Sequence, residues 1–233
     1  ETAEVVLAAL RHWGLEGALK RLNGMFALAW WSAVDRRLIL VRDRLGIKPL
    51  YWHQTPEGTL LFASEVRALL ASGKVRRALN REAVADQWMY GTVHAPATIV
   101  SGIQLLEPGS LLVAQDEDIK MSQWWDPADE ALGEPVLDDR ARRTRIRELL
   151  SDSVALRMRS DVAYGAFLSG GIDSSAVVGL MSEVATQPVS TFSVTFAEAA
   201  LDESPWSRAV AKRFGTDHHE IRLTPEDFLA QVP

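Results

Sequence analysis

The ten residues Ala166 to Ser175, Ala-Phe-Leu-Ser-Gly-Gly-Ile-Asp-Ser-Ser, constrain this chain more than any other stretch. A short apolar run from Val162 to Leu168 reads as a buried strand. It stops at Ser-Gly-Gly, and an apolar-periodic helix carrying Ala176, Val177, Leu180 and Met181 follows at once. A strand feeding a glycine turn at a helix N-terminus builds an anion site, because glycine lets the backbone approach while free N–H groups and the helix dipole face the charge. Ser169, Ser174 and Ser175 add hydroxyl donors. Asp173 is placed to help hold a cation that bound phosphates also ligate.

Two common phosphate loops do not fit this spacing. Glycine, lysine and threonine do not fall at the Walker positions, and G-x-G-x-x-G is absent. Ser-Gly-Gly-x-Asp-Ser instead resembles the pyrophosphate loop of the N-type ATP pyrophosphatases, enzymes that split ATP between its α- and β-phosphates and adenylate a substrate. A Gly-Gly pair alone is often only a turn. The six-residue pattern between a strand and a helix carries the resemblance.

Composition sets the outer limits. The 233 residues have room for two ordinary domains or one large one, and an apolar share of 47% is ample for real cores. Net charge is −6 with no sustained basic block, which argues against nucleic acid as the main partner. Arg140 to Arg147 are the exception, but Asp138, Asp139 and Glu148 beside them point to a solvated helix face. The absence of cysteine removes disulfides, thiolate metal sites and thiol nucleophiles from this chain. No apolar run reaches membrane-spanning length and no signal peptide opens the chain, so the expected location is cytoplasmic, without a membrane. Both ends read as cut. Ala3 to Leu10 is already helical in pattern without a cap, and the helix announced by Thr224-Pro225-Glu226-Asp227 has barely begun at Pro233. The expectation is an internal fragment of a longer protein.

In order, Ala3 to Leu22 reads as helix with a break at Gly14, and Asn23-Gly24 as a turn. Met25 to Trp31 suits a strand buried on both faces, and Arg37 to Arg42 returns as its hairpin partner. Leu50 to His53 and Thr59 to Ala63 repeat the pattern, which implies an antiparallel sheet. Between the pairs lies the charged corner Arg42-Asp43-Arg44-Leu45-Gly46-Ile47-Lys48-Pro49-Leu50-Tyr51, a tight turn stapled by an Arg–Asp pair. A helix at Arg81 to Tyr90 and a loop-rich stretch from Gly91 to Gly109 come next. A last hairpin spans Leu111 to Ala114 and Ile119 to Gln123, and Trp124-Trp125 suggest a packed seam. Residues 128–136 form the domain linker. A long helix from Leu137 to Ser160, with Ile146, Leu150, Val154 and Met158 as one stripe, opens alternating elements: Val162 to Leu168, Asp173 to Val184, Val189 to Phe196, Pro205 to Phe214 and His219 to Leu223. Such alternation means a parallel sheet with crossover helices and ligands at the strand C-terminal ends.

Leu22-Asn23-Gly24-Met25-Phe26-Ala27, the corner from Arg42 to Tyr51 and Phe62-Ala63-Ser64-Glu65 resemble the C-terminal half of a class II glutamine amidotransferase domain. With Gly102-Ile103, Pro108-Gly109 and Gly215-Thr216-Asp217-His218-His219-Glu220, nearly the whole chain resembles the glutamine-dependent asparagine synthetases. The implied fold class is two-domain, α+β and α/β: a partial antiparallel-sheet Ntn-type glutaminase domain (1–127), then a partial parallel-sheet, Rossmann-like ATP pyrophosphatase domain (137–233). The implied reaction joins aspartate and ammonia from glutamine through a β-aspartyl adenylate, with ATP and Mg as cofactors and the three small molecules as partners. A homodimer is the assembly considered, with oligomeric state left open.

On this resemblance Ser169, Gly170, Gly171, Asp173, Ser174 and Ser175 take the pyrophosphate, Asp173 with the phosphates takes Mg, and the backbones of Phe167 and Val194 take adenine. Asp202 and Glu203 are either a carboxylate pair near the pocket or a helix cap. His218 and His219 tempt a metal reading, but neighbours in a strand point to opposite faces, which favours packing. The family's N-terminal cysteine nucleophile, its oxyanion-hole Asn-Gly and its later catalytic carboxylate have no counterpart in this chain, so no catalytic residue is assigned and the fragment alone is expected to be inactive. Thr2 stands where family members hold the glutamine amine with an aspartate. Two other readings stay open: a synthetase-like enzyme acting on another carboxylate (β-lactam-forming or peptide-cyclising), and a non-catalytic nucleotide-binding relative.

Overall fold

The computed structural model describes residues 2–116, 118–131, 137–196, 198 and 202–230. The chain divides into two compact units, 1–134 and 135–233.

The first unit is built in four layers. Helix α1 (Thr2–Arg21) bends where Gly14 takes φ 69°, ψ 179°, the break expected there. Strands β1 (Ala27–Ser32), β2 (Arg37–Arg42), β6 (Ser110–Gln115) and β7 (Asp118–Gln123) form one antiparallel sheet in the order β1-β2-β6-β7. A second sheet has β3 (Tyr51–Gln54) between β4 (Leu60–Ala63) and β5 (Gln104–Leu105). The four early strands therefore do not share one sheet. The two-residue strand β5 lies in the stretch read as loop.

The reason is where the apolar side chains can be buried. β2, not β1, is the strand covered on both faces. Ile39 and Val41 pack with Leu19 of α1, whereas Leu40 packs with Leu50, Leu106 and Leu112. β1 is only half covered, and Trp31 is 57% exposed. Helix α2 (Val66–Ala71) closes the far side of the small sheet, its Leu69 packing with Val75 and Ile103. The layers thus run helix, sheet, sheet, helix. Helix α3 (Arg81–Tyr90) is capped by the Asn80 side chain and ends at Gly91 in the left-handed conformation.

The charged corner holds together by backbone recognition, not by an Arg–Asp staple. Arg42 donates to the carbonyls of Lys48 (2.9 Å), Leu106 (2.6 Å) and Gly46 (2.6 Å). Asp43, 1% exposed, accepts from the N–H groups of Phe26 (3.2 Å), Ile47 (2.9 Å) and Lys48 (2.9 Å). Each charge is worth more against several fixed amide dipoles than against one partner, since a buried charge needs all its sites filled. Gly46 (φ 64°) has no room for a Cβ, which would lie 2.8 Å from Pro108 and 2.9 Å from the Arg42 guanidinium. Trp124 stacks on Phe26 and donates to the Arg42 carbonyl (3.1 Å), so this tryptophan of the expected seam is packed.

In the second unit α5 (Asp139–Arg157), capped by Asp138, precedes β8 (Gly165–Phe167), α6 (Ile172–Val184), β9 (Ser190–Phe196), α7 (Ser204–Phe214) and β10 (Asp217–Leu223). The sheet is parallel in the order β10-β9-β8. β8 is shorter than the run Val162 to Leu168 and β10 longer than His219 to Leu223. Of the expected α5 stripe only Val154 is buried, with Leu180, Met181 and Val189, while Ile146 and Leu150 are about half exposed, at 50% and 47%. The basic face of α5 is solvated and paired, with Arg147 reaching Glu183 at 2.6 Å. Short helices α4 (Pro127–Ala131), which begins one residue before the expected linker and runs into it, and α8 (Pro225–Leu229) complete the described elements. Most of that linker, 132–136, lies outside the described residues, as does the Thr2 side chain.

Candidate functional site: a glycine turn between a parallel strand and a helix

β8 delivers the chain to the turn. Leu168 is 1% exposed and donates its N–H to the Phe192 carbonyl at 2.8 Å, while the buried Ser193 hydroxyl donates to the Leu168 carbonyl. The chain then leaves the sheet through Ser169 and Gly170. Gly170 takes φ 85°, and a Cβ there would lie 2.5 Å from Trp206 Cβ and 2.6 Å from the Ser207 nitrogen. Glycine is required twice over, by its conformation and by the close approach of α7.

Gly171 is the N-cap of α6, without a side-chain capping bond. The first helical bond is donated by Ser175 to the Gly171 carbonyl, at 3.0 Å. The N–H groups of Ile172, Asp173 and Ser174 precede that ladder, at the end of the helix where amides point outward and the dipole is positive. Around them Ser169 Oγ lies 3.0 Å from Ser174 Oγ and accepts from the Gly171 N–H at 3.2 Å, and Ser174 donates to the Gly171 carbonyl at 3.2 Å. Asp173 sits exposed in the first turn. Ser169, Gly170, Gly171, Asp173 and Ser174 are therefore gathered around one helix end, with Ser175 at the fourth helical position.

A cleft of about 230 Å³ adjoins the turn, lined by Phe167, Leu168, Ser169, Phe192, Ser193, Val194, Phe196, Glu203 and Ser207. Its shape follows from unequal strand lengths. β8 stops at Phe167, opposite Phe192, whereas β9 stays paired with β10 through Phe196. In a parallel ladder both polar groups of a residue face the same neighbour and alternate along the strand. Phe192 faces β8, so the N–H and C=O of Val194 face the same side, past the end of β8. Ala166 and Leu168 face β9, so the polar groups of Phe167 turn to the outer edge of β8. The two backbones border one cleft without facing each other.

The carboxylate pair separates into two roles. Asp202 accepts from the Ser204 N–H (3.1 Å) and hydroxyl (2.9 Å), and these bonds hold its carboxyl below the usual range. Glu203 makes no capping bond and lines the cleft. His218 and His219 diverge as expected. His218 Nδ1 lies 2.9 Å from Thr191 Oγ1, at the start of β9, and His219 stacks on Phe192. Among the described residues no group of three or more His, Asp or Glu side chains is placed to hold a metal ion. Ser193, Ser207 and Trp206 were not legible as site residues. The sequence carries no signal for them, since the importance of each position depends on what crosses above it.

Residues 1–125 match the family model described as glutamine amidotransferase domain, and residues 145–233 match asparagine synthase. The chain belongs to the glutamine amidotransferase domain family. Among relatives of this family, asparagine synthetase [glutamine-hydrolyzing] 1 of Bacillus subtilis is 34% identical, across 99% of this chain and 35% of that protein. Amidase chyE of Penicillium rubens is 30% identical, across 96% of this chain and 35% of that protein. The chain spans less than half the length of the curated relatives it matches. Among solved structures, the glutamine phosphoribosylpyrophosphate amidotransferase of B. subtilis superposes with a TM-score of 0.37 at 13% identity, covering 100% of this chain and 44% of that one.

Proposed function

We propose that the glycine turn is an ATP pyrophosphate site and that the protein at full length is an ATP-dependent, amide-forming ligase making asparagine from aspartate and glutamine. One observation carries the reading. The α6 N-terminus has no side-chain cap and stands beside the Ser169 and Ser174 hydroxyls, behind a glycine whose missing Cβ lets α7 brace the turn. Free amides at the positive end of a helix, with hydroxyl donors beside them, fit a polyphosphate. One carboxylate with phosphate oxygens is also a donor set that suits Mg²⁺.

In this reading the N–H groups of Ile172, Asp173 and Ser174 and the hydroxyls of Ser169, Ser174 and Ser175 bind the β- and γ-phosphates. Fixed donors there stabilise the charge that gathers on pyrophosphate as the α–β bond breaks. Asp173 would hold Mg²⁺, which when bound supplies charge neutralisation on the phosphates. Val194 and Phe167 offer backbone groups to adenine at the strand ends. The aspartate β-carboxylate attacks the α-phosphorus, pyrophosphate leaves, and ammonia then displaces AMP from the acyl adenylate to give the amide. The helix–sheet–sheet–helix layering of the first unit supports an Ntn-type glutaminase as the ammonia source. Cytoplasmic small-molecule chemistry fits this scheme. Among the described residues no helix is long and apolar enough to cross a membrane.

The test is pyrophosphate release by the full-length protein with Mg-ATP, ammonia and aspartate, each omitted in turn. Release that requires aspartate and yields asparagine is the expected result. Release with another carboxylate but not with aspartate moves the protein to a different acceptor, and no ATP binding at all overturns the ligase reading.

A further inference from the structure

Among the described residues that line the cleft beside the glycine turn, one is ionisable. Its lining is apolar or hydroxyl apart from Glu203. Glu203 is the residue before α7, its carbonyl accepts the N–H groups of Trp206 (3.0 Å) and Ser207 (3.2 Å), and its own carboxylate caps nothing. The neighbouring Asp202 already has the capping role through Ser204. Trp206 and Ser207 are also the groups packed against Gly170, so the same turn of helix that braces the phosphate loop carries Glu203 to the cleft.

A carboxylate on the lining of a cleft read as a polyanion site must meet something other than a phosphate. It is an acceptor-only group, and the neutral donors nearest to a phosphate chain in a nucleotide are the ribose hydroxyls, a vicinal pair that matches two carboxylate oxygens. We propose that Glu203 is the ribose-recognising residue of the cleft, selecting ribonucleotides over deoxyribonucleotides. This deepens the ATP reading above and rests on it. Glu203 acts here as a specificity-determining group and takes no part in the chemistry at the α-phosphorus.

The experiment measures affinity of the full-length protein for Mg-ATP, Mg-2′-deoxyATP and Mg-3′-deoxyATP by equilibrium dialysis, in the wild type and in E203Q and E203A. A hydrogen bond to a charged group sets the scale, so wild type is expected to prefer ATP over at least one deoxy analogue by about tenfold or more. E203A should bind all three nucleotides alike, at the affinity wild type shows for the deoxy form. E203Q, which keeps one acceptor oxygen, should retain part of the preference. A wild-type protein that binds all three equally well overturns the proposal while leaving the ATP site standing. So does an E203A variant that weakens all three by the same factor, which would make Glu203 a cation ligand or a structural group. A wild-type protein that binds none of them overturns the ATP reading itself.

Discussion

At the scale of single residues, two positions carry the most weight. Gly170 combines a left-handed backbone with van der Waals closeness to Trp206 and Ser207. Gly170→Ala is expected to destabilise the second unit by about 2 kcal/mol or more, from backbone strain plus overpacking, and to abolish nucleotide binding. Urea unfolding followed by circular dichroism checks the first part, and dialysis against Mg-ATP the second. Asp43 gathers three backbone N–H groups of the corner. Asp43→Ala orphans all three and should cost about 3 kcal/mol, read as a lower urea midpoint. The sequence marks Arg42 and Asp43 as a corner but suggests that they pair with each other. Which carbonyl or amide each one reaches is invisible in the sequence, because Leu106 is 64 residues from Arg42 along the chain.

At the scale of elements, α7 does more than cross between strands. Arg208 donates to both Glu220 oxygens, at 2.7 and 2.6 Å, tying α7 to β10. The bonds from Arg208 hold the Glu220 carboxyl below the usual range, with partial burial opposing more weakly and the Arg208 and His218 charges helping. A carboxylate with a lowered folded-state value contributes stability that is complete above the ordinary glutamate range and is lost as pH falls through the lowered value. Glu220→Gln should therefore flatten the acid arm of the stability profile, seen in denaturant midpoints between about pH 3 and 7. Helix and strand types were readable for most of these elements because period and punctuation are local. Gly14, Asn80 and Gly91 break or cap helices through their own backbones or side chains. The two-residue strand β5 was not readable, since only its pairing with Tyr51 and Trp52 makes it a strand.

At the scale of the whole molecule, each unit has its own cores, and ligand binding should report on one of them. With Mg-ATP at about 100 times its Kd, amides of α6 and β9 that exchange by global opening should gain about 2.7 kcal/mol of protection. Hydrogen exchange by mass spectrometry reads this directly, and equal exchange with and without nucleotide would count against the site. The sequence by itself determined the order of most elements, the parallel character of the second unit and the place of the glycine turn. All three follow from local apolar periodicity and from residues that only a turn tolerates. Tertiary structure alone decided the rest. It made β2 the doubly buried strand and divided the early strands between two sheets, because burial depends on what arrives from distant segments such as Leu106 and Leu112. It turned the hydroxyls Thr191, Ser193 and Thr195 to the buried side of β9 and left Val194 42% exposed, against the usual apolar-in pattern. It also separated Asp202 from Glu203, the first capping Ser204 and the second making no capping bond on a residue that lines the cleft, a choice set by where a helix starts.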